Sequence, residues 1–177
     1  MKKEQIDYSQ IDVGIRDLVS ILNGIPFIQT QSSCEGHLRD DSGWTGILPD
    51  GGHKFLYGGD MIFRVDRRYK LAREFLREVK NLHTNYSFVE LNEHHCNNSG
   101  CNMGGSKILD LDYSDLTHPE LINGKDDLEQ MVKKRYQVPT AVGEKRLAEY
   151  KQVWSDFLVI AKKYVKLTKT PQPPSIK

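Results

Sequence analysis

Met61-Ile62-Phe63-Arg64-Val65-Asp66 is the clearest strand in the chain, and a helix follows it almost at once. Met61, Phe63 and Val65 fall on one side of an extended backbone and Ile62, Arg64 and Asp66 on the other, the two-residue repeat of a pleated strand. From about Arg68 to Leu82 the repeat changes. Tyr69, Ala72, Phe75, Leu76, Val79 and Leu82 recur at three- and four-residue steps, which puts them along one side of a helix. Strand and helix therefore pack as layers, with the apolar strand face under the apolar helix stripe.

Working outward, the N-terminal side holds another such pair. Ile11, Ile15, Leu18, Leu22 and Ile25 have helical spacing, giving a first helix over about Gln10 to Gly24, with Ser9 able to cap it and Gly24 and Pro26 able to end it. A strand is expected from Phe27 to Ser32. Cys34 to Asp60 is long, polar and rich in glycine, with a hairpin arm around Lys54-Phe55-Leu56-Tyr57; connections of that length are usually functional or mobile. On the C-terminal side, strands are expected over Tyr86 to Leu91 and Lys107 to Tyr113. A short helix follows over Lys125 to Tyr136 and a longer one over Gly143 to Leu167, striped by Leu147, Tyr150, Trp154, Phe157, Leu158, Ala161 and Val165. The order α-β-β-α-β-β-α predicts an α+β fold, with a mostly antiparallel sheet and helices packed on it. Residues 1–169 read as a single domain. Residues 170–177, with Pro171, Pro173 and Pro174, read as a loose tail.

Bulk properties narrow the class. A chain of 177 residues with 38% hydrophobic and 28% charged residues can bury one core unaided, which excludes a wholly disordered chain. No run reaches the roughly 20 apolar residues of a membrane span, and the polar start does not read as a signal core, so the cytoplasm is the expected location. Three cysteines do not make a disulfide framework. The net charge of +1 excludes a polycation, but the ends differ. Acids dominate from Lys107 to Met131 and Lys/Arg from Val132 to Lys177. That basic quarter reads either as a solvated helix face or as a surface for RNA or another anionic partner.

The densest chemistry is Ser32-Ser33-Cys34-Glu35-Gly36-His37, where the first strand runs into a glycine turn. Cys34 can be a nucleophile or a metal ligand, His37 a proton shuttle, and Glu35 an acid or base, so these three are the candidate catalytic residues. Ser32 and Ser33 can hydrogen-bond an anionic group of a ligand, and Gly36 permits a backbone conformation closed to other residues or close approach of a ligand. The opposing reading makes Cys34 a small buried hydrophobe that closes the strand. Trp44, with no apolar pattern around it, is expected either to cover a ligand or to pack the loop down.

With Gly14-Ile15, Asp17-Leu18-Val19, Leu22-Asn23, Pro26 and Thr30-Gln31 before it, this motif resembles the opening of the wybutosine-synthesising tRNA methyltransferase family. That family carries an N-terminal helix leading into Thr-Ser-Ser-Cys-Ser-Gly-Arg; here Glu35 stands in place of its serine and His37 in place of its arginine. The resemblance covers roughly Asp12 to His37, with Val65 as its outer limit. It implies an α+β scaffold, a pocket at the motif turn, S-adenosylmethionine as cofactor and a nucleotide or RNA as substrate. Replacing arginine removes a permanently charged, two-pronged anion clamp.

A second cluster, His94-His95-Cys96 with Cys101, lies between the two later strands. Cys34, His37, Cys96 and Cys101 together would suit tetrahedral zinc, or iron, with His94 or His95 as alternate ligands. Two other readings stand beside it, a polar hairpin loop and a Cys96–Cys101 redox pair. Ser99 to Lys107 has the glycines and lysine of a phosphate loop but not the Walker order. Asp110 and Asp112, two apart on one strand face, read as a solvent face or as a hard-cation site. Arg64, Arg67, Arg68, Lys70, Arg73 and Arg77 can line a nucleic-acid surface, with Tyr69 either stacking there or packing in the helix stripe.

Overall fold

The computed structural model describes residues 6–94 and 106–169. The expected tail at 170–177 and the residues His95, Cys96 and Cys101 lie outside the described residues.

Four strands form an antiparallel sheet in the order β1-β4-β6-β5: β1 (Ile28–Cys34), β4 (Gly59–Val65), β6 (Ser106–Leu111) and β5 (Val89–His94). Its buried face carries Met61, Phe63, Leu109 and Leu111. Helices α1 (Arg16–Gly24), α2 (Lys70–Lys80) and α5 (Thr140–Lys169) bury complementary stripes: Leu18, Val19 and Leu22; Ala72, Phe75 and Val79; and Tyr150, Val153, Trp154, Phe157, Ala161 and Tyr164. Each stripe has the three- and four-residue spacing that one helix face allows. The layers meet in an aromatic cluster, with Phe75 packed edge-on to Tyr164 at 5.3 Å and against Phe63 and Phe157 at 6.2 and 6.1 Å between ring centres. Such offset and edge-on contacts follow from the ring quadrupoles. The α+β fold with an antiparallel sheet and packed helices is as the pattern predicts.

A second, three-stranded antiparallel sheet has the order β2-β3-β7: β2 (His37–Arg39), β3 (His53–Tyr57) and β7 (Gln137–Pro139), the last following helix α4 (Leu128–Tyr136). β7 is not visible in the sequence. It is three residues long and ends on a proline, which suits only an edge strand. Its one inward residue, Val138, is fully buried and joins Leu56 in the same core as Phe63.

The two sheets are joined by one long, bent hairpin. β1 pairs with β4, Cys34 opposite Asp60; past the bend β2 pairs with β3, His37 opposite Tyr57. Glu35-Gly36 carries one chain across the bend and Gly58 the other. Gly36 sits at φ +91°, where side chains are disfavoured, and a Cβ there would lie 2.7 Å from the Tyr150 ring. At Gly59 a Cβ would lie 3.0 Å from the Glu35 carbonyl and 3.0 Å from the Trp154 ring. The glycines thus let two crossing backbones lie flat against α5.

Element boundaries differ from expectation in several places. A shift in register between Thr30 and Ser32 bulges β1 at Gln31, which explains why its two faces look alike in sequence. The first helix begins only at Arg16 and has no side-chain cap; two short 3-10 turns precede it, and Asp7 accepts the Ser9 N–H at the start of the first of them. A further turn of helix, α3 (Leu82–Asn85), moves β5 to Val89–His94. α5 begins at Thr140, directly after β7.

Candidate metal centre

The bend gathers the site. β1 ends at Cys34 and β2 begins at His37, so Gly36 turns two potential ligands toward the same side of the chain. Asp12, between the two 3-10 turns that precede α1, supplies the third. The ligand atoms of Asp12, Cys34 and His37 all lie within 4.8 Å of one another, and each residue is partly exposed. His37 Nε2 is 3.4 Å from Asp12 Oδ2. That separation matches the edge of a zinc tetrahedron, about 3.4 Å for bonds of about 2.1 Å.

The neighbouring atoms hold this arrangement. Glu35 N–H donates to Asp12 Oδ2 at 3.0 Å, so the carboxylate is oriented by backbone. The Glu35 carbonyl accepts from Trp154 Nε1 at 3.0 Å, which ties the turn to α5. Supports of this kind fix the geometry of a metal ligand. The Cys34 sulfur lies 4.0 Å from the Gly58 carbonyl. Burial pushes its thiol above the ordinary range, the Gly36 backbone opposes that, and the carboxylates of Asp12, Asp60 and Glu35 add to it. Without a cation the group is therefore a neutral thiol, not an activated thiolate. A bound divalent ion reverses that preference, because a coordinated thiol loses its proton.

The predicted site residues are distributed unevenly. Cys34 and His37 come together. Glu35 contributes its backbone, while its carboxyl lies over Gly14. Ser32 and Ser33 line a different, shallow hollow of about 260 Å³ with Asp7, Gln10 and Gln31. Trp44 stands 67% exposed in the hairpin tip, so it does not pack the loop down. His94 pairs with Ser106 at the far end of the sheet from the row that contains Cys34. Cys96, Cys101 and His95 fall outside the described residues.

Asp12 is the candidate ligand that the sequence reading missed. No spacing motif links it to Cys34; only the fold brings the first loop beside the bend. Asp110 also differs from a plain solvent face. It is half-buried between its strand partners Asp60 and Glu90, and its carboxyl is raised by burial and by Glu90 and Asp112. The basic row is partly committed to local pairs, Arg67 with Glu93 at 3.0 Å and Arg68 with Asp66 at 2.6 Å. Tyr69 sets its ring 5.6 Å from Phe27 and leaves 44% of itself exposed. Among the described residues no helix is long and apolar enough to cross a membrane.

No family model, no curated protein and no solved structure matches the chain.

Proposed function

We propose that this protein holds one divalent transition-metal ion, zinc by the chemistry of the donors, on Asp12, Cys34 and His37, and uses it as a Lewis acid. The carrying observation is that a carboxylate, a thiol and an imidazole from two separate segments place their ligand atoms within 4.8 Å of one another. This mixed O/S/N set suits zinc, whereas magnesium and calcium favour all-oxygen shells. Three protein ligands at a partly exposed site leave a fourth position for water or substrate, the pattern of catalytic zinc sites. Bound there, the ion lowers the pKa of a water ligand to near 7. Asp60, the strand partner of Cys34, lies on the same sheet face.

Charge favours this reading over S-adenosylmethionine-dependent modification of RNA. After burial, the groups that raise the Cys34 thiol are the carboxylates of Asp12, Asp60 and Glu35, and such an anionic setting attracts a metal cation and repels phosphate. In the C-terminal part, Lys133 pairs with Asp50 at 2.8 Å, Lys134 with Asp126 at 3.0 Å and Lys163 with Glu78 at 2.6 Å. RNA binding would need several such charges for phosphate contacts, and in this part only cations with no ion pair among the described residues, such as Lys145, Lys151 and Lys162, are left to make them.

Cobalt(II) titration tests the proposal. One equivalent should produce a thiolate-to-metal charge-transfer band that Cys34→Ser abolishes and Asp12→Ala and His37→Ala weaken. A band unchanged in Cys34→Ser would refute the site.

A further inference from the structure

Beside the start of β4, and reaching the bend at Gly58, lies a cleft of about 450 Å³. Tyr57, Tyr113 and Tyr136 line it together with Asp60, Glu90 and Asp110, and among the described residues no lysine, arginine or histidine is in its walls. None of Asp12, Cys34 and His37 lines it, although two of its walls, Asp60 and Tyr57, are the strand partners of Cys34 and His37.

Two independent features point to a ligand. Asp60 is directly opposite Asp110, and Asp110 directly opposite Glu90, across three neighbouring strands. Like charges placed opposite one another destabilise a sheet. Several acids elsewhere have cationic partners, as in Glu93 with Lys107 at 2.6 Å and Asp115 with Arg146 at 2.7 Å. Among the described residues no basic side chain forms an ion pair with Asp60, Asp110 or Glu90; the Asn92 amide is a neutral partner there, 3.2 Å from Glu90 and hydrogen-bonded also to Asp110. The second feature is aromatic. Tyr57 and Tyr136 stack at 5.0 Å, and Tyr113 leans on Tyr136 at 6.0 Å. Two of these rings already carry guanidinium groups, Arg39 5.7 Å from Tyr57 and Arg135 5.4 Å from Tyr136, although neither arginine lines the cleft.

We propose that this cleft binds a small organic cation, an ammonium or guanidinium group on a short apolar stem, with its charge over the Asp60–Asp110–Glu90 row and its stem against the tyrosines. Carboxylates beside aromatic faces favour such cations through both Coulomb attraction and the ring quadrupole. A bare metal ion would use the acids and leave the rings idle. A phosphate or carboxylate ligand would face three like charges.

Agmatine, which has a guanidinium at one end and an ammonium at the other, is a direct probe, with glutarate as the anionic control of similar length. Calorimetric titration of the full chain should show saturable one-to-one binding of agmatine and none of glutarate. Affinity should fall at least tenfold in Tyr136→Ala and in Asp110→Asn, stay within twofold in Tyr136→Phe, and stay within twofold in His37→Ala. Glu90→Gln, at an exposed position, should also weaken binding several-fold and covers the case in which Tyr136→Ala does not fold. The proposal is overturned by no saturable binding, by glutarate binding as well as agmatine, or by binding that magnesium displaces and the foldable cleft variants leave unchanged.

Discussion

Gly36 shows how a single residue sets the site. Its φ of +91° and its contact with the Tyr150 ring leave no room for a side chain. Gly36→Ala is expected to lose about 2 kcal/mol or more, from backbone strain of about 1–3 kcal/mol plus the ring clash. Urea denaturation should show a lower midpoint with an unchanged slope. Asp60 carries a pH signature. Burial, with Asp110 and Asp12, raises its carboxyl above the ordinary aspartate range. A raised acid makes the folded state bind more protons than the unfolded state, so stability falls as pH rises from about 4 through the raised value. Asp60→Asn should therefore raise the melting temperature at pH 7 in ligand-free protein and leave it unchanged near pH 3, where both states are protonated. A stabilisation as large at pH 3 as at pH 7 would contradict that assignment.

At the scale of elements, α5 is the strut on which the bend rests. Trp154 donates to the Glu35 carbonyl, and Tyr150 underlies Gly36. Trp154→Phe keeps an aromatic side chain but removes the donor, together with part of the buried indole. Leaving that carbonyl unsatisfied costs about 1–3 kcal/mol, and zinc affinity should fall several-fold because the turn loses its anchor; chemical denaturation and a competitive zinc titration read the two effects. Elements with strong periodicity were legible in the sequence. The stripes of α2 and α5, and Met61, Phe63 and Val65 on one face of β4, place themselves. The bulged β1 was harder, because an extra residue at Gln31 scrambles its alternation. β7 was not legible at all. Gln137-Val138-Pro139 has one buried side chain, and its strand character comes from β3 beside it.

At the scale of the whole molecule, the site depends on contacts that no local pattern records. Cys34 and His37 stood out because they flank a glycine turn, but Asp12 is brought in only by packing of the first loop against the bend. The acid row of the cleft likewise exists only when three strands are in register; in sequence Asp60, Glu90 and Asp110 are unrelated. A metal that binds the folded state alone stabilises the whole chain by mass action, by about 2.7 kcal/mol at a hundredfold excess over its dissociation constant. Zinc should accordingly raise the melting temperature of the wild type. His37→Ala should remove most of that shift, and a shift undiminished in this variant would place the ion elsewhere.

The most direct measurement is metal content after zinc loading and exhaustive dialysis, made on the wild type, on Asp12→Ala and on the double variant Cys96→Ser/Cys101→Ser. The predicted result is about one zinc per chain in the wild type and in the double variant, as a single three-ligand centre requires, and a large loss in Asp12→Ala. Zinc retained in full by Asp12→Ala, or lost in the double variant, would contradict a centre built on Asp12, Cys34 and His37.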